Sequence, residues 1–199
     1  MAWNEGYVTE VPYTYGYYSD LSPARVNLAL TMAGHAPIPA GPCCELGFGQ
    51  GVCLAFNAVA DPAREWWGTD FNPAHVQHAR SLIDAAGVHA HLFDDSFEQF
   101  ASRTDLPQFS YIALHGIWSW VSEENRSWIV EFLRRNLAPG GVVYVSYNAA
   151  AGWAASVPLQ QLLSLYASRA QAPGVPPTQR MQTALDFAQR VFALDPALV

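Results

Sequence analysis

Lysine is absent from this chain: all ten basic residues are arginine, against seventeen Asp and Glu, for a formal charge of -7 over 199 residues. A nucleic-acid binder needs a basic face to neutralise phosphates, so no nucleic-acid partner is expected. Charge of either sign is scarce. Only 14% of residues are charged, below the roughly 25% usual for soluble domains. The hydrophobic share is 51%, which excludes a disordered chain. Long apolar runs are missing too: none approaches the ~20 residues that cross a bilayer, and no membrane partner is expected. The opening MAWNEGYVTEVPYTYG lacks a charged segment followed by an apolar one, so no secretory signal is expected. Cysteine is limited to Cys43, Cys44 and Cys53, too few for a disulfide scaffold and without the spacing of a zinc site. They are expected as small buried hydrophobes. These absences describe a soluble, cytoplasmic globular protein of one domain, or one domain with a small appendage.

The acidic excess is uneven. Residues 1–150 hold 7 Arg against 15 Asp and Glu (-8), whereas residues 151–199 hold 3 against 2 (+1). Three segments are expected: residues 1–40, with a tyrosine-rich stretch and a helix; residues 41–152, the core; and residues 153–199, a helical tail. Within the core, strand-like and helix-like runs alternate. Strands are expected at Pro42–Leu46, Glu65–Thr69, His89–Phe93, Phe109–Leu114 and Val142–Tyr147. Helices are expected at Val52–Ala60, from Asn72-Pro73 to a stop at Gly87, at Ser96–Ser102, and from a Ser122 cap to Leu137. Pro139-Gly140-Gly141 reads as a turn. Outside the core, helices are expected near Pro23–Ala33, Ala154–Arg169 and Thr178–Leu194. Strands joined by helices specify parallel βαβ units, hence a doubly wound α/β fold.

The first strand–helix turn reads Glu45-Leu46-Gly47-Phe48-Gly49-Gln50-Gly51. Glycines there let backbone approach a ligand closely. A dinucleotide fingerprint, GxGxxG, would need glycine at position 52, where Val52 stands. An acid followed by GxGxG resembles the first motif of class I S-adenosylmethionine-dependent methyltransferases. Asp70 closes strand two, nineteen residues after Gly51, where an acid can accept both ribose hydroxyls of a nucleoside. Asp94-Asp95-Ser96-Phe97 follows strand three, where that family places an acid for the adenine amine and a ring beside the base.

The resemblance narrows along Tyr13–Tyr18, Ser22–Arg25, Tyr111–Val121, Leu137–Gly141, Tyr144–Asn148 and Gly152-Trp153. These look like methyltransferases whose catalytic domain is followed by a methyltransferase regulatory domain. The resemblance implies a Rossmann-like fold with strand order 3-2-1-4-5. It also implies a sixth and a seventh strand, for which no apolar runs follow Asn148, so either the chain is a shortened piece of a longer protein or its sheet is finished in an unusual way. It implies S-adenosylmethionine as cofactor, S-adenosylhomocysteine as product, and cofactor contacts from Glu45, Gly47, Phe48, Gly49, Gly51, Asp70, Phe71, Asp94, Asp95, Ser96 and Phe97. Some relatives resemble lysine methyltransferases acting on bacterial surface proteins and others sit near natural-product pathways, which leaves a protein side chain or a small molecule as acceptor. Members that methylate nucleobase or glutamine amines carry (Asn/Asp)-Pro-Pro-Tyr after strand four. His115-Gly116-Ile117-Trp118 stands here instead, so that substrate class loses support.

His115 lies where these enzymes face the methyl group. It is a candidate cofactor contact and general base, the other reading being a histidine that only shapes the loop. Tyr13, Tyr15, Tyr17 and Tyr18 are candidates for a lid over the cofactor or for packing of the first helix, with Tyr15 assigned to the cofactor and Tyr13 and Tyr17 to an acceptor pocket. Trp118, Trp120, Tyr147 and Asn148 are candidates for the same pocket, core anchoring being the other reading for the two tryptophans and the methionyl end of the cofactor for Tyr147 and Asn148. Trp66 and Trp67 are expected to pack against helices. The pairs His75/His78 and His89/His91 lack an acid or cysteine at ligand spacing, and no metal is expected. Two rivals stand beside the methyltransferase: a non-catalytic S-adenosylmethionine-binding or interaction module, and an NAD-dependent oxidoreductase, disfavoured by Val52. Oligomeric state is left open.

Overall fold

The computed structural model describes residues 14–169 and 174–194. These fall into two compact units, which divide between Tyr147 and Asn148.

The first unit opens with a 3₁₀ turn, Ser19–Leu21, and helix α1 (Pro23–Met32), which starts on a proline whose missing N–H is not needed there. Five strands alternating with four helices follow: β1 (Cys43–Leu46), α2 (Val52–Ala60), β2 (Trp66–Thr69), α3 (Pro73–Ala86), β3 (Ala90–Phe93), α4 (Phe97–Ser102), β4 (Phe109–Leu114), α5 (Glu123–Asn136) and β5 (Leu137–Val145). All strand pairs are parallel, in the order β3-β2-β1-β4-β5. This is the doubly wound fold expected from the alternating elements, in the order that the resemblance implies.

Helix ends follow local chemistry. Asn72 accepts from the Ala74 N–H to cap α3, and Gly87 ends it in the left-handed region at φ 67°. Ser96 and Gln99 form a reciprocal capping box on α4. Ser122 caps α5, with Glu123 and Glu124 at its positive end and Arg134 and Arg135 at its negative end.

Successive strand residues face opposite sides, and both sides are apolar. Cys43, Tyr111 and Ala113 join Leu54, Trp66, Val76 and Ala79 in one core, over which Tyr18 and α1 pack. Cys44, Ile112 and Leu114 join Phe100, Ile129 and Phe132 in the other. Trp66 is buried in the first core, and Trp67 packs at the edge of the second. The three cysteines are free thiols, all buried.

Several expected bounds need correction. β1, β2 and β3 each start one residue later than read, because the first residue of each run precedes the ladder. Ser96 lies outside α4 as its cap, and Leu137 lies outside α5, already extended. Pro139-Gly140-Gly141 is not a turn outside the sheet but an irregular stretch inside β5. Pairing jumps there from Phe109↔Leu137 to Tyr111↔Val142. Proline cannot donate to a ladder and Gly140 takes φ 74°, so the strand bulges rather than stops. β5 also ends at Val145, short of Tyr147.

In the second unit, a short helix α6 (Ala150–Trp153) and a 3₁₀ turn (Ala154–Ser156) precede α7 (Val157–Arg169) and α8 (Pro177–Leu194). The helix expected from Ala154 therefore begins at Val157. Tyr166 and Phe187 stack at 4.3 Å to join α7 to α8. Among the described residues no strand follows β5, and no helix is long and apolar enough to cross a membrane.

Candidate cofactor site

In a doubly wound sheet the strand ends at the reversal of strand order form a crevice. Here the chain leaves β1 toward β2 and β3, then returns to β4 on the other side. Glu45, the glycine loop, Asp70 and His115 all lie at those carboxyl ends.

The loop takes its shape from three positive φ angles, at Gly47 (66°), Gly49 (56°) and Gly51 (76°). Space forbids side chains at two of them. A Cβ on Gly47 would lie 2.5 Å from the Ile117 side chain, and one on Gly51 would overlap the Ala79 methyl and lie 2.9 Å from its Cα. The loop is thus seated directly on α3 and on the segment after β4. Gly47 and Phe48 donate their N–H groups to the Thr69 carbonyl, tying the loop to the end of β2. The Phe48 side chain itself is buried in the core, so only its backbone belongs to the loop.

Asp70 is 6% exposed and Glu45 5%. The Asp70 carboxylate accepts from the Gly49 N–H on Oδ2 (2.8 Å) and from the Asn72 N–H on Oδ1 (3.0 Å), with His75 Nδ1 3.1 Å from Oδ1. Burial, with the Asp70 charge adding to it, pushes the Glu45 carboxyl up to about 8. Phe71, half-buried, follows Asp70.

Past β3, the two acids differ. Asp94 is exposed, whereas Asp95 is half-buried with its carboxylate 3.1 Å from Arg103. Arg103 also pairs with Asp105 and lies over the Phe93 ring at 4.1 Å. The Asp95 carbonyl accepts from the Thr69 hydroxyl at 2.6 Å, binding the ends of β2 and β3 together. Ser96 is committed to its capping box. The Phe97 ring reaches to within 3.8 Å of the space above Gly47, beside the loop.

His115 follows β4. Its ring is stacked on Tyr18, with centroids 4.3 Å apart, and Nδ1 lies 3.0 Å from the Ser146 hydroxyl, which also accepts from the Gly116 N–H. Burial pushes the imidazole below its ordinary range, with Asp20 partly opposing. A neutral imidazole at neutral pH can accept a proton; with Nδ1–H donating to the Ser146 hydroxyl oxygen, Nε2 is the ring nitrogen that takes it.

The tyrosine segment crosses the same end of the sheet. Tyr15 meets His78 edge-on at 5.6 Å, Tyr17 leans on Phe56 at 5.1 Å, and the Tyr18 N–H donates to Cys53 Sγ at 3.1 Å. Its rings therefore touch α3, α2 and the end of β4. Tyr13 lies outside the described residues. Trp118 packs against the second core and its carbonyl accepts from Arg126, while Trp120 is 62% exposed and Tyr147 64%. Asn148 is exposed and opens the second unit.

Sequence reasoning did not assign His75, His78, Arg103 or Ser146 to this site. His78 Nδ1 donates to the Gln50 carbonyl at 2.8 Å, so the two α3 histidines serve different partners, His75 the acid after β2 and His78 the glycine loop. Among the described residues, no group of three His, Cys, Asp or Glu could hold a metal. His91 stacks on Trp67 at 3.9 Å, and His89 precedes β3.

Residues 44–141 match the family described as methyltransferase domain. The structure of PKMT2 from Rickettsia typhi in complex with AdoHcy is similar in fold, with a TM-score of 0.73 at 24% identity, over 90% of this chain and 35% of that one. A S-adenosylmethionine-dependent methyltransferase from Clostridium acetobutylicum gives a TM-score of 0.50 at 13% identity, over 63% of this chain and 49% of that one. An uncharacterized Synechocystis protein is 43% identical over 96% of this chain and 38% of its own length. An uncharacterized Rickettsia prowazekii protein is 31% identical over 72% of this chain and 26% of its own. The chain thus spans well under half the length of those relatives. Its sheet order and flanking helices are those of the Rossmann-like methyltransferase fold.

Proposed function

We propose that the methyltransferase domain carried by residues 44–141 transfers a methyl group from S-adenosylmethionine to a protein side chain or a small molecule. The observation that carries this reading is the joint between loop and acid. The Gly49 N–H and the Asp70 carboxylate meet across the ends of β1 and β2, in a loop where added Cβ atoms would collide. That arrangement fits a nucleoside cofactor: close-approach backbone on one side and a buried acceptor for a ribose hydroxyl on the other. A neutral Glu45 beside the loop can act as a hydrogen-bond donor as well as an acceptor. Asp95 and Phe97 would serve the adenine. When bound, the cofactor supplies an activated methyl on a sulfonium.

The chain's own residues would do the rest. His115, held by Ser146 and covered by Tyr18, would take the proton from the acceptor's nucleophilic atom. The tyrosine segment would exclude water from the strand ends, and the exposed Trp120 and Tyr147 would meet the acceptor. The expected result is binding of S-adenosylhomocysteine by calorimetry, with NAD giving no heat. Binding of NAD in place of S-adenosylhomocysteine overturns the reading. For His115→Gln, affinity for S-adenosylhomocysteine should stay within about twofold, whereas its release in a screen of amine and hydroxyl acceptors should fall roughly 10²–10⁴-fold.

A further inference from the structure

We infer that His75 is a positioning residue for the cofactor: it fixes the rotation of the Asp70 carboxylate so that an Oδ2 lone pair is left for the ribose. This rests on the cofactor reading above.

The hydrogen placement follows from the partners. Asn72 Oδ1 accepts from the Ala74 N–H at 3.0 Å, so the other end of that amide, Nδ2, is a donor. It lies 3.4 Å from His75 Nε2. A ring nitrogen that receives an N–H must carry a lone pair, which puts the His75 proton on Nδ1, aimed at Asp70 Oδ1 3.1 Å away. Oδ1 also takes the Asn72 N–H, so both of its acceptor sites are filled. Oδ2 takes only the Gly49 N–H among the bonds described, and one of its two sites remains. Hydrogen bonds to a carboxylate are directional, so a carboxylate free to turn would present that site poorly.

The buried setting makes the donor matter. His75 and Asp70 are each 6% exposed, and the second carboxyl, Glu45, is buried close enough to feel the Asp70 charge. Water cannot readily replace a missing donor there. The same helix supplies three supports within two turns: His75 to the acid, His78 to the Gln50 carbonyl, and Ala79 beneath Gly51. Helix α3 is thus the template on which the loop and the acid are set in register.

The test compares S-adenosylhomocysteine with its 2′,3′-dideoxyribose analogue by calorimetry, on the wild-type chain, His75→Leu and His75→Gln. Wild type should lose about 10–100-fold with the dideoxy analogue, the range of a hydrogen bond to a charged group. His75→Leu should weaken S-adenosylhomocysteine by about tenfold and the analogue by no more than about twofold. His75→Gln, whose amide can donate toward the same oxygen, should recover most of that loss. Equal weakening of both ligands, or no weakening of either, would reduce His75 to a packing role and overturn the inference. Failure of the wild-type chain to bind S-adenosylhomocysteine removes the cofactor reading first, and the inference with it. A second measurement needs no variant: ring ¹⁵N shifts of the unaltered protein should show the His75 proton on Nδ1 with Nε2 bare, and any form with a proton on Nε2 overturns the assignment.

Discussion

Glu45 shows how one buried side chain ties stability to the site it serves. Its carboxyl is pushed from an ordinary 4.5 up to about 8, chiefly by burial and then by the neighbouring Asp70 charge. Between those values the folded chain holds a proton that the unfolded chain has lost, so stability falls as pH rises through that window. His115 acts in the opposite sense. Its imidazole is pushed down by burial, so its contribution is lost as pH falls below the ordinary 6.5. The two oppose each other at mildly acidic pH, and above 6.5 Glu45 acts alone. The unfolding free energy of the ligand-free chain should therefore drop between pH 6.5 and 8, by an amount on the order of a few kcal/mol at most. Glu45→Gln should flatten that slope in urea titrations at several pH values. Parallel slopes for the two chains would mean that the carboxyl is not buried as described. The acid itself was legible two residues before Gly47. Its coupling to Asp70 was not, because it depends on β1 and β2 lying side by side in register, Glu45↔Gly68.

The elements were legible to different degrees, for reasons that lie in their neighbours. The six residues of β4, Phe109–Leu114, apolar but for Ser110, stand between breakers, and their bounds read correctly. In β5 the Pro139-Gly140-Gly141 signal is equally strong, but the partner strand draws it into the ladder as a bulge. The α3 histidines, three apart, carried no ligand pattern in the sequence, and their separate tasks emerge only in the fold, where His75 meets the acid and His78 the loop. Ser146 carries no local signature at all, since its bond to His115 joins two strand ends. The seat of the glycine loop on α3 can be tested directly. Gly51→Ala combines a left-handed backbone with an overlap on Ala79, and should destabilise the chain by about 2–4 kcal/mol. Gly87→Ala, at the far end of the same helix with φ 67° and open space around it, should cost only about 1 kcal/mol. Urea midpoints measure both. Equal costs would show that loop and helix are not pressed together.

At the scale of the molecule, the scarcity of charge has a structural reason: a parallel sheet covered on both faces hides its strands, so both cores draw on apolar residues. The described ion pairs are few, and those with an exposed partner, Arg25–Asp20 and Arg103–Asp105, contribute little to stability. Stability thus rests on packing, and a ligand that joins the ends of several strands should add to it as a whole. A ligand that binds only the folded chain stabilises it by RT ln(1 + [L]/Kd), about 2.7 kcal/mol at a hundred times Kd and about 4.1 at a thousand. For a chain of this length each kcal/mol raises the midpoint by roughly 2–4 °C. S-adenosylhomocysteine at a hundred times its calorimetric Kd should therefore raise Tm by about 5–10 °C. The rise should continue logarithmically with concentration rather than level off. Asp70→Asn, which keeps the shape but not the charge of the ribose acceptor, should need roughly tenfold more ligand for the same shift. An unchanged dose dependence in Asp70→Asn would place the ligand away from the joint of Asp70 and Gly49.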